Sequence, residues 1–340
     1  MKKDIKKRNS IEEYRHKKVL ITGGLGFIGS NIAHKLIHLD ANVTILDNLA
    51  PLYGGNMFNI DDIKDKISLI HGDVRDIDTI SKLVKDKDFI FHLAGQVSHI
   101  DSSEIPFEDL DINCKGYLNV LEACKKSNKN SKIIFSSSRL VLGKTIKNPS
   151  DVNFSSNPLS LYGIHKLTAE KYSYLYNKNY GMRTVVLRLT NPYGERQQIK
   201  HSKYSIPGWF MRMAMDSKPI KIFGDGNQKR DYIHISDLVD AFLLAGINNI
   251  TSGKLYDCGF GKSVRFKDMV KSIIKVVKNG NIEYIPWPED YRKEETGDSE
   301  VNIEKLSKDT GWKPKTNLEQ GIRKMFDYYK KHKYRYITEK

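Results

Sequence analysis

Two side chains in one helical segment could act together as a base. Tyr162 and Lys166 stand four residues apart in LYGIHK, so they share one face of the helix predicted over about Leu161–Asn177. An ammonium group beside a phenol stabilises the phenolate, which would lower the pKa of Tyr162 toward neutrality. Ser138 ends the apolar segment SKIIFSSS, where its hydroxyl could hydrogen-bond a reacting group. We therefore predict Ser138, Tyr162 and Lys166 as a catalytic group that removes a proton from a substrate hydroxyl.

A glycine-rich turn, TGGLGFIG, lies between an apolar strand and a helix. Gly23, Gly26 and Gly29 have the spacing GxxGxxG. Glycine allows the tight turn and the approach of a pyrophosphate to the backbone, and the helix N-terminus adds N–H donors and partial positive charge. Together with Phe27 and Ile28 at the start of the helix, these residues predict a dinucleotide-binding site.

The ends of the following strands supply further cofactor contacts. Asp47 ends the second strand, 18 residues after Gly29, where a carboxylate accepts hydrogen bonds from adenosine ribose and repels a 2′-phosphate. Asn48 and then leucine follow, with no arginine to neutralise such a phosphate, so we predict NAD rather than NADP; a carboxylate that only caps a loop is the alternative. Lys166 is expected to reach the nicotinamide ribose beside Tyr162. The other predicted contacts lie at the ends of the third and fourth strands and are Asp73, Val74, Leu93, Ala94 and Gly95.

The elements that position these residues alternate along the chain. Continuously apolar short segments and helical segments follow each other from residue 18 to 191, which is typical of a parallel sheet covered on both faces. We predict an α/β fold with a Rossmann-like, doubly wound parallel sheet over residues 18–191 that binds NAD. Residues 192–340 are predicted to form mainly a smaller substrate-binding lobe, with about 232–260 returning to the sheet. Residues 1–17 are predicted to be a basic, solvated lead-in.

Composition and charge narrow the function classes. The 340 residues include 39% hydrophobic and 29% charged residues, and no apolar stretch approaches the roughly 20 residues of a membrane span. The N-terminus lacks the apolar stretch of a secretory signal, and the three cysteines lack metal-ligand spacing. We therefore predict a cytoplasmic protein with no membrane or metal partner. The formal charge of +15 is scattered among carboxylates, and an anionic small substrate explains it as well as a nucleic acid would, so no nucleic-acid partner is expected.

The motifs in their order resemble a known family. The segments TGGLGFIG, HLAG, SSS, YGIHK, LRLTNPYG and GDGNQKRDYIH are similar to those of extended short-chain dehydrogenases/reductases of the nucleotide-sugar epimerase/dehydratase type, over about residues 17–329. The resemblance implies that Tyr162 abstracts a sugar hydroxyl proton while NAD takes a hydride, with Ser138 as hydrogen-bond partner.

The same resemblance implies which residues contact the substrate. Asn191 and Arg230 would meet the diphosphate of a nucleotide sugar, and the segment from Lys221 to Phe223 would lie near the base. A guanidinium suits bidentate contact with phosphate oxygens. Arg230 could instead only pair with a carboxylate.

Residues near the predicted site distinguish between members of the family. Similar dehydratases and decarboxylases carry glutamate just after the strand-end hydroxyl, whereas Arg139 and Leu140 cannot act as acid or base for elimination. The resemblance therefore favours an epimerase, above all a UDP-hexose 4-epimerase; a dehydratase, a net reductase and a non-catalytic NAD-binding protein are the alternatives. The segment GERQQIKHSKYSIPGWF also resembles CDP-paratose 2-epimerases, which leaves the base and the oxidised carbon open. A late arginine of many UDP-sugar epimerases is replaced by Glu295, and Arg292 or Lys293 could substitute for it.

Two predicted helices bear on assembly. The segments near Phe107–Lys126 and Leu161–Asn177 would flank the same region of the sheet. In similar enzymes their counterparts pair across a two-fold axis as a four-helix bundle, so the resemblance implies a homodimer.

Overall fold

A seven-stranded parallel sheet is the centre of the fold. The computed structural model describes residues 10–51, 53–144 and 148–337. The described strands are β1 (Lys18–Thr22), β2 (Asn42–Asp47), β3 (Ile67–His71), β4 (Phe89–His92), β5 (Lys132–Ser138), β6 (Arg183–Leu189), β7 (Asn191–Tyr193), β8 (Ile220–Phe223), β9 (Lys229–His234), β10 (Lys254–Cys258), β11 (Ser263–Arg265) and β12 (Ile282–Ile285). In the large sheet the strand order is β10-β6-β5-β4-β1-β2-β3, and every pairing is parallel.

The strand order reverses beside β1. The chain adds β2 and β3 on one side of β1, then returns to add β4, β5 and β6 on the other. This reversal is the doubly wound topology, and it places a crevice at the carboxyl ends of the strands. The predicted Rossmann-like α/β fold is confirmed.

Helices connect the strands and surround the sheet. The described α-helices are α1 (Phe27–His38), α2 (Ile77–Leu83), α3 (His99–Glu104), α4 (Pro106–Leu110), α5 (Gly116–Ser127), α6 (Leu161–Tyr180), α7 (Ile206–Met215), α8 (Ile235–Ile247), α9 (Phe266–Val277), α10 (Glu289–Lys293), α11 (Glu304–Thr310), α12 (Leu318–His332) and α13 (Tyr334–Ile337). Short 3-10 helices cover Ile11–Tyr14, Met57–Ile60, Lys64–Lys66, Arg139–Leu142 and Asn249–Thr251, and a π-helical turn covers Asp111–Lys115.

Each face of the sheet has its own apolar core. Side chains alternate along a strand, so Val19 and Ile21 of β1 pack against α1 and α8, whereas Leu20 packs against α2, α5 and α6. All three are fully buried. Burial on both faces explains why these strands are continuously apolar in sequence.

The predicted long helix near Phe107–Lys126 is interrupted in its middle. Pro106 occupies the first turn of α4, where proline is well tolerated. The π-helical turn Asp111–Lys115 then joins α4 to α5 without leaving helical geometry. Such turns are frequent at functional sites, and this one carries Asn113, whose side chain donates to the backbone oxygen of Gln96 at 3.1 Å.

The predicted solvated lead-in is wrong for Tyr14, whereas Ser10, Glu12, Glu13, Arg15 and His16 are exposed; residues 1–9 lie outside the described part of the chain. Ser10 and Glu13 form a capping box around the first 3-10 helix. The Tyr14 side chain is fully buried; its ring packs against Phe89 at 4.6 Å, and its hydroxyl donates to the Leu243 carbonyl at 3.0 Å. This aromatic anchor ties the segment to the core.

The C-terminal lobe covers the crevice. Its third apolar core joins α7, α9 and α12 with the parallel pair β8–β12. A three-stranded sheet in the order β11-β9-β7 connects this lobe to the large sheet. Within residues 232–260, α8 and β10 pack with the large sheet, and β10 forms its edge beside β6.

Candidate active site

A cavity of about 890 Å³ lies between the carboxyl ends of the sheet strands and the C-terminal lobe. We call it the central cavity. All the residues predicted above for catalysis, cofactor and substrate line it: Gly23, Gly26, Phe27, Ile28, Gly29, Asp47, Asn48, Asp73, Val74, Leu93, Ala94, Gly95, Ser138, Tyr162, Lys166, Asn191, Lys221, Phe223 and Arg230. The fold therefore brings together the residues that spacing indicated and those that the family resemblance implied (Asn191, Lys221, Phe223 and Arg230), although their individual roles stay predictions.

The glycine-rich turn presents bare backbone to the cavity. Gly23 has a φ of +73°, and a Cβ on Gly29 would lie 2.3 Å from the Gly23 carbonyl oxygen. A Cβ on Gly26 would meet only that same oxygen, at 3.3 Å, so its cavity side is open. Helix α1 begins at Phe27 and directs its N-terminal N–H groups and partial positive charge to this place. The cradle fits the pyrophosphate of a dinucleotide such as NAD.

Asp47 has both a local role and free acceptor capacity. Its two carboxylate oxygens accept backbone N–H groups of Leu25 at 2.9 Å and Leu49 at 2.8 Å, which fixes the glycine-rich turn and the loop after β2. Burial raises its pKa, although these two hydrogen bonds oppose the rise. A carboxylate has about four lone-pair sites, so Asp47 can still accept ribose hydroxyls.

Arg75 lies beside Asp73, a predicted cofactor contact, and no signal in the sequence pointed to it. Arg75 forms a two-pronged salt bridge with Asp73, with distances of 2.9 and 2.7 Å. Asn48 also donates to Asp73, at 2.8 Å. The pKa of Asp73 is lowered although burial opposes this, because Arg75 and Asn48 donate to it. The Arg75 guanidinium is thus held by a carboxylate, and this arrangement does not offer a ready site for a 2′-phosphate.

The predicted catalytic group is assembled by two neighbouring elements. Ser138 ends β5, and Tyr162 lies in the first turn of α6, whose N-cap is Ser160. Both side chains line the central cavity. A Cβ on Gly163 would lie 2.8 Å from the Leu140 carbonyl oxygen, so glycine at this position allows α6 to approach the end of β5.

The expected lowering of the Tyr162 pKa is not found in the protein alone. Burial raises the pKa of Tyr162, and the interaction with Ser138 only partly opposes the rise. Burial also lowers the pKa of Lys166 to about 8, with the carboxylate of Asp109 opposing. The Lys166 ammonium lies 5.7 Å from the centre of the Tyr162 ring. Desolvation outweighs the attraction that the i, i+4 spacing suggested.

Lys166 is oriented by the surrounding backbone and rings. Its ammonium donates to the Ser136 carbonyl at 3.3 Å and lies 5.2 Å from the centre of the Phe135 ring. A Cβ on Gly95 would come within 3.2 Å of the Lys166 nitrogen. Glycine at the end of β4 therefore leaves room for the ammonium at the place where the nicotinamide ribose is predicted.

The diphosphate residues inferred from resemblance are already partnered. The Asn191 amide donates to the Asp231 carbonyl at 2.9 Å. Arg230 donates to Glu295 at 2.5 Å and to the Gly297 carbonyl at 2.8 Å. Arg230 therefore pairs with a carboxylate, which was the alternative to a diphosphate contact. Glu295 provides that carboxylate.

The suggested replacements for the late arginine are wrong. Arg292 and Lys293 are exposed on α10 and do not line the central cavity. Glu295 and Thr296 line it instead. Arg139, which the sequence analysis used only to exclude elimination, donates to the Thr296 hydroxyl at 2.8 Å.

One end of the cavity is aromatic. Trp287 and Tyr291 each lie 5.4 Å from the Phe223 ring, and Trp209 and Lys221 also line the central cavity. Trp287 and Tyr291 were missed because their segment, IPWPEDY, shows no periodicity; aromatic residues in a polar loop were the only available signal.

His99 and Glu294 form a further cavity pair, 2.5 Å apart, that joins α3 to the C-terminal lobe.

Over the described ranges, no cluster of histidine, cysteine and carboxylate groups could hold a metal ion. No helix in that part of the chain is long and apolar enough to cross a membrane.

Comparison with known proteins agrees with this geometry. A sequence model described as the NAD dependent epimerase/dehydratase family matches residues 19–259. A putative UDP-glucose 4-epimerase of Methanocaldococcus jannaschii is 36% identical and aligns with 92% of this chain and 98% of that protein. The CDP-paratose 2-epimerase of Salmonella typhi is 30% identical, with the same two coverages. The crystal structure of Thermotoga maritima UDP-glucose 4-epimerase with UDP-glucose superposes with a TM-score of 0.84 at 28% identity, covering 92% of this chain and 99% of that one.

Proposed function

Because this chain belongs to the NAD-dependent epimerase/dehydratase family, we propose that it is a UDP-hexose 4-epimerase, which inverts a sugar hydroxyl through a transient ketone. The chain is an NAD-dependent enzyme of nucleotide-sugar chemistry. The observation that carries the proposal is the placement of Ser138, Tyr162 and Lys166 in one cavity with a dinucleotide cradle and an aromatic end.

In the proposed reaction Tyr162 holds and returns one proton. The phenol oxygen of Tyr162 takes the proton of the sugar hydroxyl. Ser138 hydrogen-bonds the sugar oxygen as that oxygen becomes a carbonyl. NAD, which the glycine-rich turn and Asp47 would hold, would supply the reversible hydride acceptor for oxidation and re-reduction of the sugar carbon. Tyr162 then returns the proton. Because burial raises the pKa of Tyr162 even with Lys166 nearby, deprotonation depends on added positive charge, which an oxidised nicotinamide would provide.

Epimerisation is favoured over elimination by the residues after Ser138. Dehydration needs an acid and a base beside the sugar. Arg139 and Leu140 follow Ser138 at the cavity wall. The nearby carboxylates of Glu294 and Glu295 are paired with His99 and Arg230.

We propose a separate position in the cavity for each part of a nucleotide sugar. The sugar would lie at Tyr162, and the base would pack against Phe223 and Trp287, since aromatic rings favour stacking with flat bases. The similarity to a CDP-paratose 2-epimerase keeps a CDP-sugar 2-epimerase as a second candidate, because the aromatic end accepts either pyrimidine.

A substrate panel tests the proposal. The purified chain would be incubated with UDP-, CDP-, GDP- and dTDP-hexoses, and the products would be identified by NMR. We expect interconversion of UDP-glucose and UDP-galactose without net reduction of cofactor. Tyr162→Phe should lower the rate about 10²–10⁴-fold, and Ser138→Ala should cost less. A 4-keto-6-deoxy product, or more than about a tenth of the activity in Tyr162→Phe, would contradict the assignment.

We further propose a homodimer. The exposed surface of α4 and α6 carries large apolar side chains, among them Phe107 at 81% exposure and Ile164 and Leu175 at 45% each. Ile164 and Leu175 lie eleven residues apart, about three helical turns, and so share one face of α6.

A cytoplasmic location is also proposed, because the three cysteines are free and buried, as suits a reducing compartment.

A further inference from the structure

We propose that Tyr336 is a positioning residue for NAD, on which it acts through Asn59 and the glycine-rich turn. This role concerns cofactor binding alone and does not depend on which nucleotide sugar the chain converts. It gives a part in the cofactor site to α13, a helix of the C-terminal lobe that does not line the central cavity.

The glycine-rich turn is held from behind at Leu25. This residue lies between two glycines of the turn and is only 1% exposed. Its carbonyl oxygen accepts the backbone N–H of Asn56 at 3.1 Å and the side-chain amide of Asn59 at 2.8 Å. Neither asparagine lines the central cavity. Residues 56–59 therefore fix the turn from the side opposite the ligand.

The hydrogen bonds that reach Leu25 have a fixed direction. The Leu25 oxygen can only accept, so the amide nitrogen of Asn59 must face it, and the side-chain oxygen of Asn59 faces away. That oxygen lies 2.6 Å from the Tyr336 hydroxyl, which must donate because a carbonyl cannot. The Tyr328 hydroxyl lies 2.5 Å from that of Tyr336, and it must donate in turn because a phenol has one hydrogen. Tyr328 and Tyr336 thus form a hydrogen-bond chain that runs through Asn59 to the turn.

Packing fixes the position of Tyr336. The residue is only 3% exposed, and its ring lies 5.3 Å from that of Tyr329 and 5.9 Å from that of Phe58. Burial raises the pKa of Tyr336, so its hydroxyl stays a donor at neutral pH. The Asn56 side chain also donates to the Arg335 carbonyl at 3.1 Å. Two hydrogen bonds therefore join α13 to the segment behind the turn.

The Asn59 side chain depends on Tyr336 for its orientation. Asn59 is fully buried, and its backbone oxygen accepts from His34 at 2.9 Å and Arg196 at 3.2 Å. Those two bonds hold the backbone but leave the amide group free to rotate. Among the described residues, Tyr336 is the one donor to the side-chain oxygen. Loss of that hydroxyl would leave a buried acceptor without a partner, which favours rotation of the amide away from Leu25.

The orientation of the Leu25 carbonyl matters to the cofactor. This carbonyl and the N–H of Gly26 belong to one planar peptide, so bonds to the Leu25 oxygen also direct that N–H. Within the protein the Gly26 N–H makes only a long bond, 3.3 Å, to the Gly23 oxygen, at the cradle that fits a pyrophosphate. A turn already held in its binding conformation costs less to order when the ligand binds.

Calorimetry with NAD on the cofactor-free chain tests this role. We expect Tyr336→Phe to weaken NAD binding about 3–10-fold, the effect of one hydrogen bond lost at a buried group. Tyr328→Phe is the matched control. It removes a hydroxyl from the same cluster but leaves Tyr336 to donate to Asn59, so NAD affinity should stay within about twofold of the unmodified chain. Each affinity would be measured well below the melting temperature of the variant, so that a loss of stability alone does not change it.

A double-mutant cycle tests whether the effect passes through Asn59. Asn59→Ala removes both side-chain hydrogen bonds, so it should weaken NAD binding at least as much as Tyr336→Phe does. Adding Tyr336→Phe to Asn59→Ala should then cost less than about twofold more.

Three results would overturn the inference. They are NAD affinity of Tyr336→Phe within about twofold of the unmodified chain, an equal loss of affinity in Tyr328→Phe, and fully additive losses in the double variant. The first two decide the question if Asn59→Ala does not fold. An unmodified chain that binds no NAD would overturn the cofactor assignment and this inference together, whereas a chain that binds NAD but converts no UDP-hexose would overturn only the proposed function.

Discussion

The glycine-rich turn allows a sharp test, because two of its glycines should respond differently to the same added methyl group. A Cβ on Gly29 would lie 2.3 Å from the Gly23 carbonyl oxygen and 2.8 Å from the Gly24 Cα, whereas ordinary contacts begin near 3.4 Å. Gly29→Ala must therefore displace the backbone of the turn by about 1 Å, and such overpacking typically costs about 1–3 kcal/mol. Each charge-assisted hydrogen bond lost to the pyrophosphate is worth about 1.5–3 kcal/mol, or about 10–100-fold in affinity.

Gly26→Ala should separate binding from stability. Its Cβ would meet only the Gly23 oxygen, at 3.3 Å, and its φ of −76° suits alanine. The free energy of unfolding without cofactor should change by less than about 1 kcal/mol, but the methyl group would project into the path of the pyrophosphate and weaken NAD binding. Thermal unfolding and calorimetry with NAD measure both quantities. Two results would refute the reasoning. In the first, Gly29→Ala keeps the melting temperature of the unmodified chain and an NAD affinity within about twofold of it. In the second, Gly26→Ala loses stability but keeps its NAD affinity.

Other expectations concern specificity, assembly and pH. Asp47→Asn removes the charge facing the ribose but keeps one carbonyl acceptor, so calorimetry should show a higher ratio of NADP to NAD affinity; an unchanged ratio would count against Asp47 as the selector. Ile164→Glu combined with Leu175→Glu should convert a dimer to a monomer in light scattering, and a dimer that persists would place the interface elsewhere. Lys166→Met should lower kcat by removing the ammonium that favours the Tyr162 phenolate. Because the Lys166 pKa is lowered to about 8, its charge is lost above that pH, and the difference between variant and unmodified chain should be largest below pH 8; a difference that grows above pH 8 would contradict this role.

Local sequence rules predicted the parts of the site that depend on neighbouring residues. The spacing of Tyr162 and Lys166 fixes one helical face, and the carboxyl ends of parallel strands must meet at one edge, which brings Asp47, Gly95 and Ser138 to the same cavity. The parallel sheet itself follows from continuously apolar segments that alternate with helices.

Long-range pairing and burial could not be predicted in this way. The Arg230–Glu295 salt bridge joins residues 65 positions apart, and no periodicity links them. The rise in the Tyr162 pKa depends on how deeply the folded chain buries the ring, which the i, i+4 spacing does not specify. Tyr14 was assigned to a solvated segment because the charges around it dominate the local composition, although its ring is fully buried.

The central claim is that a sugar carbon is oxidised and re-reduced within one active site, and isotope transfer tests it most directly. UDP-glucose deuterated at C4 would be incubated with the enzyme in ordinary water, and the product would be analysed by NMR and mass spectrometry. Because the hydride leaves and returns without meeting solvent, we expect UDP-galactose that retains the deuterium at C4, with no net change in cofactor oxidation state. UDP-galactose that has exchanged its deuterium for a solvent proton would contradict the account.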